Sequence, residues 1–174
     1  MNQIIKSKGI NFGVIYGLVL ILPVLYAYAI DQTFFASYWN LGIALLAFFV
    51  HGFWVVGSLK KAQNGFASFK EAFSIFFLAN AIGLLISVSM TILIFVVIDP
   101  ELQSSVLELT ISKTTTLLED MGATSDVIEK TITDLRTQDN YSVGAQLKSY
   151  LYSLIFAAVF GSLISLILKK KQEE

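Results

Sequence analysis

Four apolar stretches, each long enough to cross a bilayer, constrain this chain more than any other feature. They run from about 10 to 30, 39 to 59, 72 to 98 and 147 to 168. A helix rises about 1.5 Å per residue, so roughly 20 apolar residues cross the hydrocarbon core. Lipid offers the backbone no hydrogen bonds, which leaves helices or closed barrels as spanning structures. The runs are continuous rather than alternating, and that selects helices. The expected fold class is an all-α integral membrane protein with four transmembrane helices and an extracytoplasmic helical hairpin between helices 3 and 4. The whole chain, 1–174, reads as a single membrane domain carrying an insert at 101–146. Composition agrees, because 55% of the residues are hydrophobic and only 14% are charged, whereas a soluble domain carries about a quarter charged.

The charges orient the spans. One set of polar segments holds Lys6, Lys8, Lys60, Lys61, Lys70, Lys169, Lys170 and Lys171, with Glu71, Glu173 and Glu174 as its only acids. The other set holds ten acids, most of them in the insert, against Lys113, Lys130, Arg136 and Lys148. Lysine and arginine near helix ends favour the cytoplasmic side. Both termini are therefore expected in the cytoplasm and the insert outside, in a cytoplasmic (inner) membrane. Lys60, Lys61, Lys70, Lys169, Lys170 and Lys171 are the expected cytoplasmic anchors. The first run also resembles a signal peptide: Lys6 and Lys8, then Val14 to Leu25, then Ala27-Tyr28-Ala29. The apolar stretch continues to Ile30 and is a full span long, so a retained helix is expected.

The third run should end at Asp99-Pro100, since proline disfavours helical geometry in the residue before it. Within the insert, Leu102, Val106, Leu109, Leu117 and Met121 recur near helical spacing, as do Leu107, Ile111 and Leu118. Gly122 is a natural stop. Asp126 with Glu129 three residues on reads as a capping-box start for a second helix carrying Val127, Ile128, Ile132 and Leu135. Asp139-Asn140 is a turn signal.

Few residues invite chemistry. There is no cysteine, which excludes disulfides, zinc-thiolate sites and iron–sulfur clusters. A net charge of -1 predicts no nucleic-acid partner. No cofactor, metal or catalytic set is expected, and the paired acids or nucleophile–base arrangement an enzyme requires is not apparent. His51, the sole histidine, falls near the middle of the second span, and Asn80 lies at a broadly similar depth in the third. Intramembrane ionisable residues are functional candidates by default. No span has an internal acid or lysine to serve a proton relay, so interhelical hydrogen bonding between His51 and Asn80 is the first expectation and a lined path the second.

Gly9, Gly13 and Gly17 form a stripe that lets another backbone approach closely. Ala157, Gly161 and Ser165 form a similar small face on the fourth helix. Two readings are open: a homo-oligomer seam, or packing within one chain in which the two small faces meet each other. The loop from Lys60 to Glu71 contains a tight-turn signal, Asn64-Gly65, and a capping pair, Ser68 with Glu71.

That loop also carries a resemblance. Asn64-Gly65-Phe66, followed by Ser68-Phe69-Lys70-Glu71-Ala72-Phe73, is similar to the start of the third helix in the bacterial membrane family called domain of unknown function 4199, common among Bacteroidota. The layout of four spans with a variable outer segment between the last two resembles that family over nearly the whole chain. The resemblance implies a topology and a bacterial inner-membrane location, and no activity or catalytic residues. The expected role is that of a small accessory or scaffold protein. Its partners would be the lipid bilayer and a further membrane protein or second copy, with the acidic hairpin as the interaction element. A small transporter or channel component, with His51 and Asn80 lining a path, is the alternative.

Overall fold

The structure, a computed structural model, describes residues 3–170. Four long helices carry the apolar runs: α1 (Gln3–Ala29), α2 (Tyr38–Ala62), α3 (Phe69–Ile92) and, after two shorter helices, α6 (Val143–Leu168). The shorter pair is α4 (Leu102–Asp120) and α5 (Ser125–Thr137). No strand occurs among the described residues. Each long helix, α3 counted with its extension to Ile98, is long and apolar enough to cross a membrane.

Most span helices overrun the apolar stretches at the ends where lysines lie. α1 begins at Gln3 and includes Lys6 and Lys8, and α2 continues through Lys60 and Lys61. Long lysine side chains let a helix do this, because the stem follows apolar surface while the ammonium reaches water. Lys8 Nζ also donates to Ser58 Oγ at 3.0 Å, joining α1 to α2 at this end.

The spans are packed inside out relative to a soluble bundle. Leu22, Leu46, Val97, Ile155 and Ile167 are all more than half exposed, whereas Phe76, Asn80 and Ser165 are enclosed. In lipid there is no hydrophobic force to bring helices together, and close van der Waals fit decides the arrangement. α3 is the hub. Along α1, Gly9 faces Leu78, Gly13 faces Ala79 and Ile82, and Gly17 faces Ile86, so α1 and α3 run parallel. On the other side of α3, Phe76 fills a socket between Gly52 of α2 and Gly161 of α6. Tyr150 on α6 donates its hydroxyl to Ala81 O of α3 at 3.1 Å.

The connections follow local chemistry. Asn64 and Gly65 adopt positive φ (54° and 92°) in the turn after α2. Ser68 then caps α3: Glu71 N donates to Ser68 Oγ at 3.3 Å, and Ser68 N donates to Glu71 Oε2 at 2.9 Å. Beyond Ile92 the helix widens into a π turn, Leu93–Ile98, closed by Asp99 N donating to Ile94 O at 2.9 Å. Pro100 has no N–H and ends the helix. Asp99 then starts α4, its Oδ1 accepting from Leu102 N at 3.2 Å. Gln103 Nε2 donates to Phe95 O at 2.7 Å, satisfying a carbonyl of the wide turn.

Gly122, at φ 74°, ends α4, as its position suggests. The Asp126–Glu129 capping box does not form. Thr124 occupies the N-cap of α5 and makes no side-chain cap bond, so α5 starts one turn position earlier than the acids imply. α6 starts at Val143, four residues before the apolar run, because Ser142 caps it: Ala145 N donates to Ser142 Oγ at 3.2 Å.

Candidate functional site

His51 and Asn80 sit in a packed seam. His51 is 5% exposed and Asn80 fully buried. The imidazole stacks on the Tyr16 ring of α1, with centroids 4.2 Å apart and planes 10° from parallel, and Phe12 lies tilted 6.5 Å away. No hydrogen bond joins His51 to Asn80. The Asn80 amide nitrogen donates to Phe76 O one turn back, at 3.0 Å, while Asn80 Oδ1 and His51 Nε2 have no partner. A side chain bonded to its own helix cannot serve as interhelical glue, so the expected cross-helix pair is replaced by ring stacking. Tyr16, which the sequence gave no reason to single out, is the residue that receives His51. Its only signal was its place beside Gly17 on the close-packed side of α1.

The glycine stripe and the small face of α6 do not meet each other; both turn to α3. Gly9, Gly13, Gly17, Ala157, Gly161 and Ser165 are all buried. A Cβ on Gly13 would lie 2.8 Å from Ala79 O, and one on Gly161 would lie 2.5 Å from the Phe76 ring. The partner surface on α3 is bulky rather than small, with Ile82, Ile86 and Phe76 as knobs filling the hollows the glycines leave.

At the end where the termini lie, Lys60, Lys61, Lys70, Lys169 and Lys170 gather; Lys171 lies outside the described residues. Ala67 and Lys170 exchange two backbone hydrogen bonds, each 2.9 Å, which fasten the α2–α3 loop to the segment after α6. Lys170 Nζ stands 5.5 Å over the Phe66 ring. Lys61, Lys70, Lys169 and Lys170 are exposed, and Lys60 is half-buried.

At the opposite end α4 and α5 fold back on one another. Arg136 pairs with Glu108 through two bonds, 2.7 and 3.1 Å. The root of this unit is fixed to the bundle. Phe95 of the π turn stacks on Tyr141, with centroids 4.2 Å apart and planes 4° from parallel, and Phe35 meets Phe95 edge-on. Burial pushes the Tyr141 hydroxyl above its ordinary pKa. Leu102 and Val106 are buried against this cluster. Lys113 Nζ also donates to Thr33 O at 2.8 Å. The far tip is different: Leu117, Met121 and Val127 are exposed there, Met121 by 73%. The expected stripe through Leu117 and Met121 is therefore not a buried one. Ile111, Leu118, Ile128 and Ile132 are the buried or half-buried apolar positions of the pair.

Two recesses accompany these elements. An apolar cavity of about 380 Å³ lies among the spans beside Tyr16, and a polar one of about 540 Å³ opens at the first turns of α6. Neither is lined by His51 or Asn80. No cluster of metal-ligating side chains occurs among the described residues.

Four apolar spans around a glycine-lined seam, with a polar helical insert before the last, define a multi-pass α-helical membrane protein. The sequence model of one family, described as "Protein of unknown function (DUF4199)", matches residues 11–170, and the chain belongs to that family. No curated protein and no solved structure matches the chain significantly.

Proposed function

We propose that this protein is a small, non-enzymatic accessory or scaffold component of the bacterial inner membrane, acting through the α4–α5 insert. The observation that carries this reading is the contrast between the two ends of the insert. Its root is held by Phe95, Tyr141 and Val106, while its tip presents Leu117, Met121 and Val127 to solvent. Glu119, Asp120, Asp126 and Glu129 surround those apolar side chains in sequence. A rigidly mounted apolar tip with an acidic margin suits a partner with an apolar patch and a basic rim.

The lysines support an orientation. Every long helix has its lysine-bearing end on the side opposite the insert, and the positive-inside bias then places both termini in the cytoplasm and the insert outside. A conducting path past His51 and Asn80 has less support, because both side chains are enclosed by packed rings and helix backbone rather than by a hydrated lining.

The test is partner capture from native membranes, comparing the full chain with a variant carrying Leu117→Ser, Met121→Ser and Val127→Ser. These positions are exposed, so the fold should persist. A defined stoichiometric partner lost from the variant supports the reading. Liposome flux that disappears on His51→Phe or Asn80→Ala would replace it with the transport reading.

A further inference from the structure

One face of α6 joins the two recesses. The polar one is rimmed by Asp139, Asn140, Ser142, Lys148, Ser149 and Tyr152. The apolar one is walled by Tyr16, Leu20, Ala44, Phe48, Tyr152 and Phe156. Tyr152 belongs to both. Ala145, Ser149, Tyr152 and Phe156 recur every three or four residues and so share one side of the helix. Along that side the lining changes from polar to apolar at Tyr152, and from Ala145 to Phe156 the helix rises about 16 Å.

We propose that this face binds an amine-bearing glycerophospholipid, with one acyl chain in the apolar cavity and the phosphodiester at Lys148. Three observations support that occupant. First, the apolar cavity lies at span depth, where the surrounding solvent is hydrocarbon, and its aliphatic and aromatic walls offer water few of the polar partners it needs. Side chains cannot close it from below, because Phe48 and Phe156 already meet each other with centroids 5.3 Å apart. Second, Lys148 makes no ion pair among the described residues; its Nζ stands 5.9 Å over the Tyr152 ring, at the junction of the two recesses. A cation there, beside an aromatic of the interfacial belt, is placed for a lipid phosphate. Third, the polar recess offers both signs of charge. Asp139 lies on its rim beyond Lys148, with its carboxylate held charged by Ser142. A phosphate near the hydrocarbon and an ammonium farther out match that order.

The experiment is native mass spectrometry of the full chain in detergent, titrated with phosphatidylethanolamine and with phosphatidylglycerol of the same acyl chains. Saturable binding of one phosphatidylethanolamine, tighter than phosphatidylglycerol, is expected. Lys148→Ala should weaken it on the order of tenfold, as for loss of one charge-assisted contact. Ala44→Trp, which fills the cavity, should abolish it. Equal binding of the two lipids, or variants that bind like the parent, would overturn the proposal. Should either variant fail to fold, the unaltered protein decides the matter with a phosphatidylethanolamine carrying a photoreactive acyl chain. Cross-links concentrated on Phe48, Tyr152 and Phe156 are expected. Cross-links spread evenly over Leu18, Leu22 and Ile167, which face the bulk lipid, would overturn it.

Discussion

His51 lies flat against Tyr16, two rings from different spans 4.2 Å apart and nearly parallel. With Nε2 unpartnered and the side chain 5% exposed, the imidazole acts here as a packed aromatic slab. His51→Phe should therefore keep the stack and leave stability in detergent within about 1 kcal/mol of the parent. His51→Ala should cost about 2–3 kcal/mol, because it empties the space against Tyr16. Thermal unfolding of the two variants checks this. Equal losses would mean that the nitrogen, not the ring, carries the contact.

The three glycines named below face different neighbours, and alanine should rank them. At Gly13 the new methyl would meet Ala79 O and Ile82 Cβ, both at 2.8 Å, and a backbone carbonyl cannot step aside. At Gly9 the obstacle is Leu78 Cδ2 at 2.7 Å, the end of a flexible side chain. At Gly57 nothing lies within 4 Å. Gly13→Ala should cost about 1–3 kcal/mol and Gly9→Ala less, by the usual penalty for overpacking. Gly57→Ala should be neutral or stabilising by up to about 1 kcal/mol, since alanine favours the helix. Detergent melting of all three, in that order, is the measurement.

The start of α6 should respond to acid. Asp139 is held below the ordinary carboxylate pKa, first by the Ser142 hydroxyl and then by Ser142 N. A depressed folded value means that the carboxylate stabilises the folded turn above its unfolded pKa of about 4. That contribution fades as pH falls through the lower folded value. Hydrogen-exchange protection at Ala145 and Gln146 should fall across that window, and Ser142→Ala should remove the acid dependence.

The insert should loosen without the bundle. Tyr141 and Phe95 stack face to face at its root, a pairing that contributes about 1 kcal/mol. Tyr141→Ala should lower exchange protection in α4 roughly fivefold. Protection along the α1–α3 seam should not change. A uniform loss in both places would show that the insert and the spans unfold together.

The four spans were legible because hydropathy is summed over some twenty residues, and no single position decides it. The turn and cap around Asn64, Gly65, Ser68 and Glu71 were legible because their partners lie within a few residues. Contacts between distant helices were not. Glycine marks where a helix can be approached closely, yet it does not name the approaching helix, and α3 answers with isoleucines and Phe76 rather than small residues. The stacking of His51 on Tyr16 depends on how α1 and α2 are rotated, which sequence spacing leaves open. On the insert, Leu102 and Val106 were placed correctly by their period, while Leu117 and Met121 follow the same period and face solvent. Periodicity gives a face; what covers it depends on where α5 and the bundle end.

The wide turn at Leu93–Ile98 has a consequence for how this chain tolerates changes in length. A π turn accommodates one residue more than an α turn at the same point. Deleting a single residue there would let the helix resume its ordinary winding, and everything after it would swing by about 100°. The ring stack at Phe95 and the Gln103 bond would then point elsewhere. The surplus residue therefore sets the compass bearing of the insert on the bundle, and chains that lost it would keep every span while aiming the tip at a different quarter of the membrane plane.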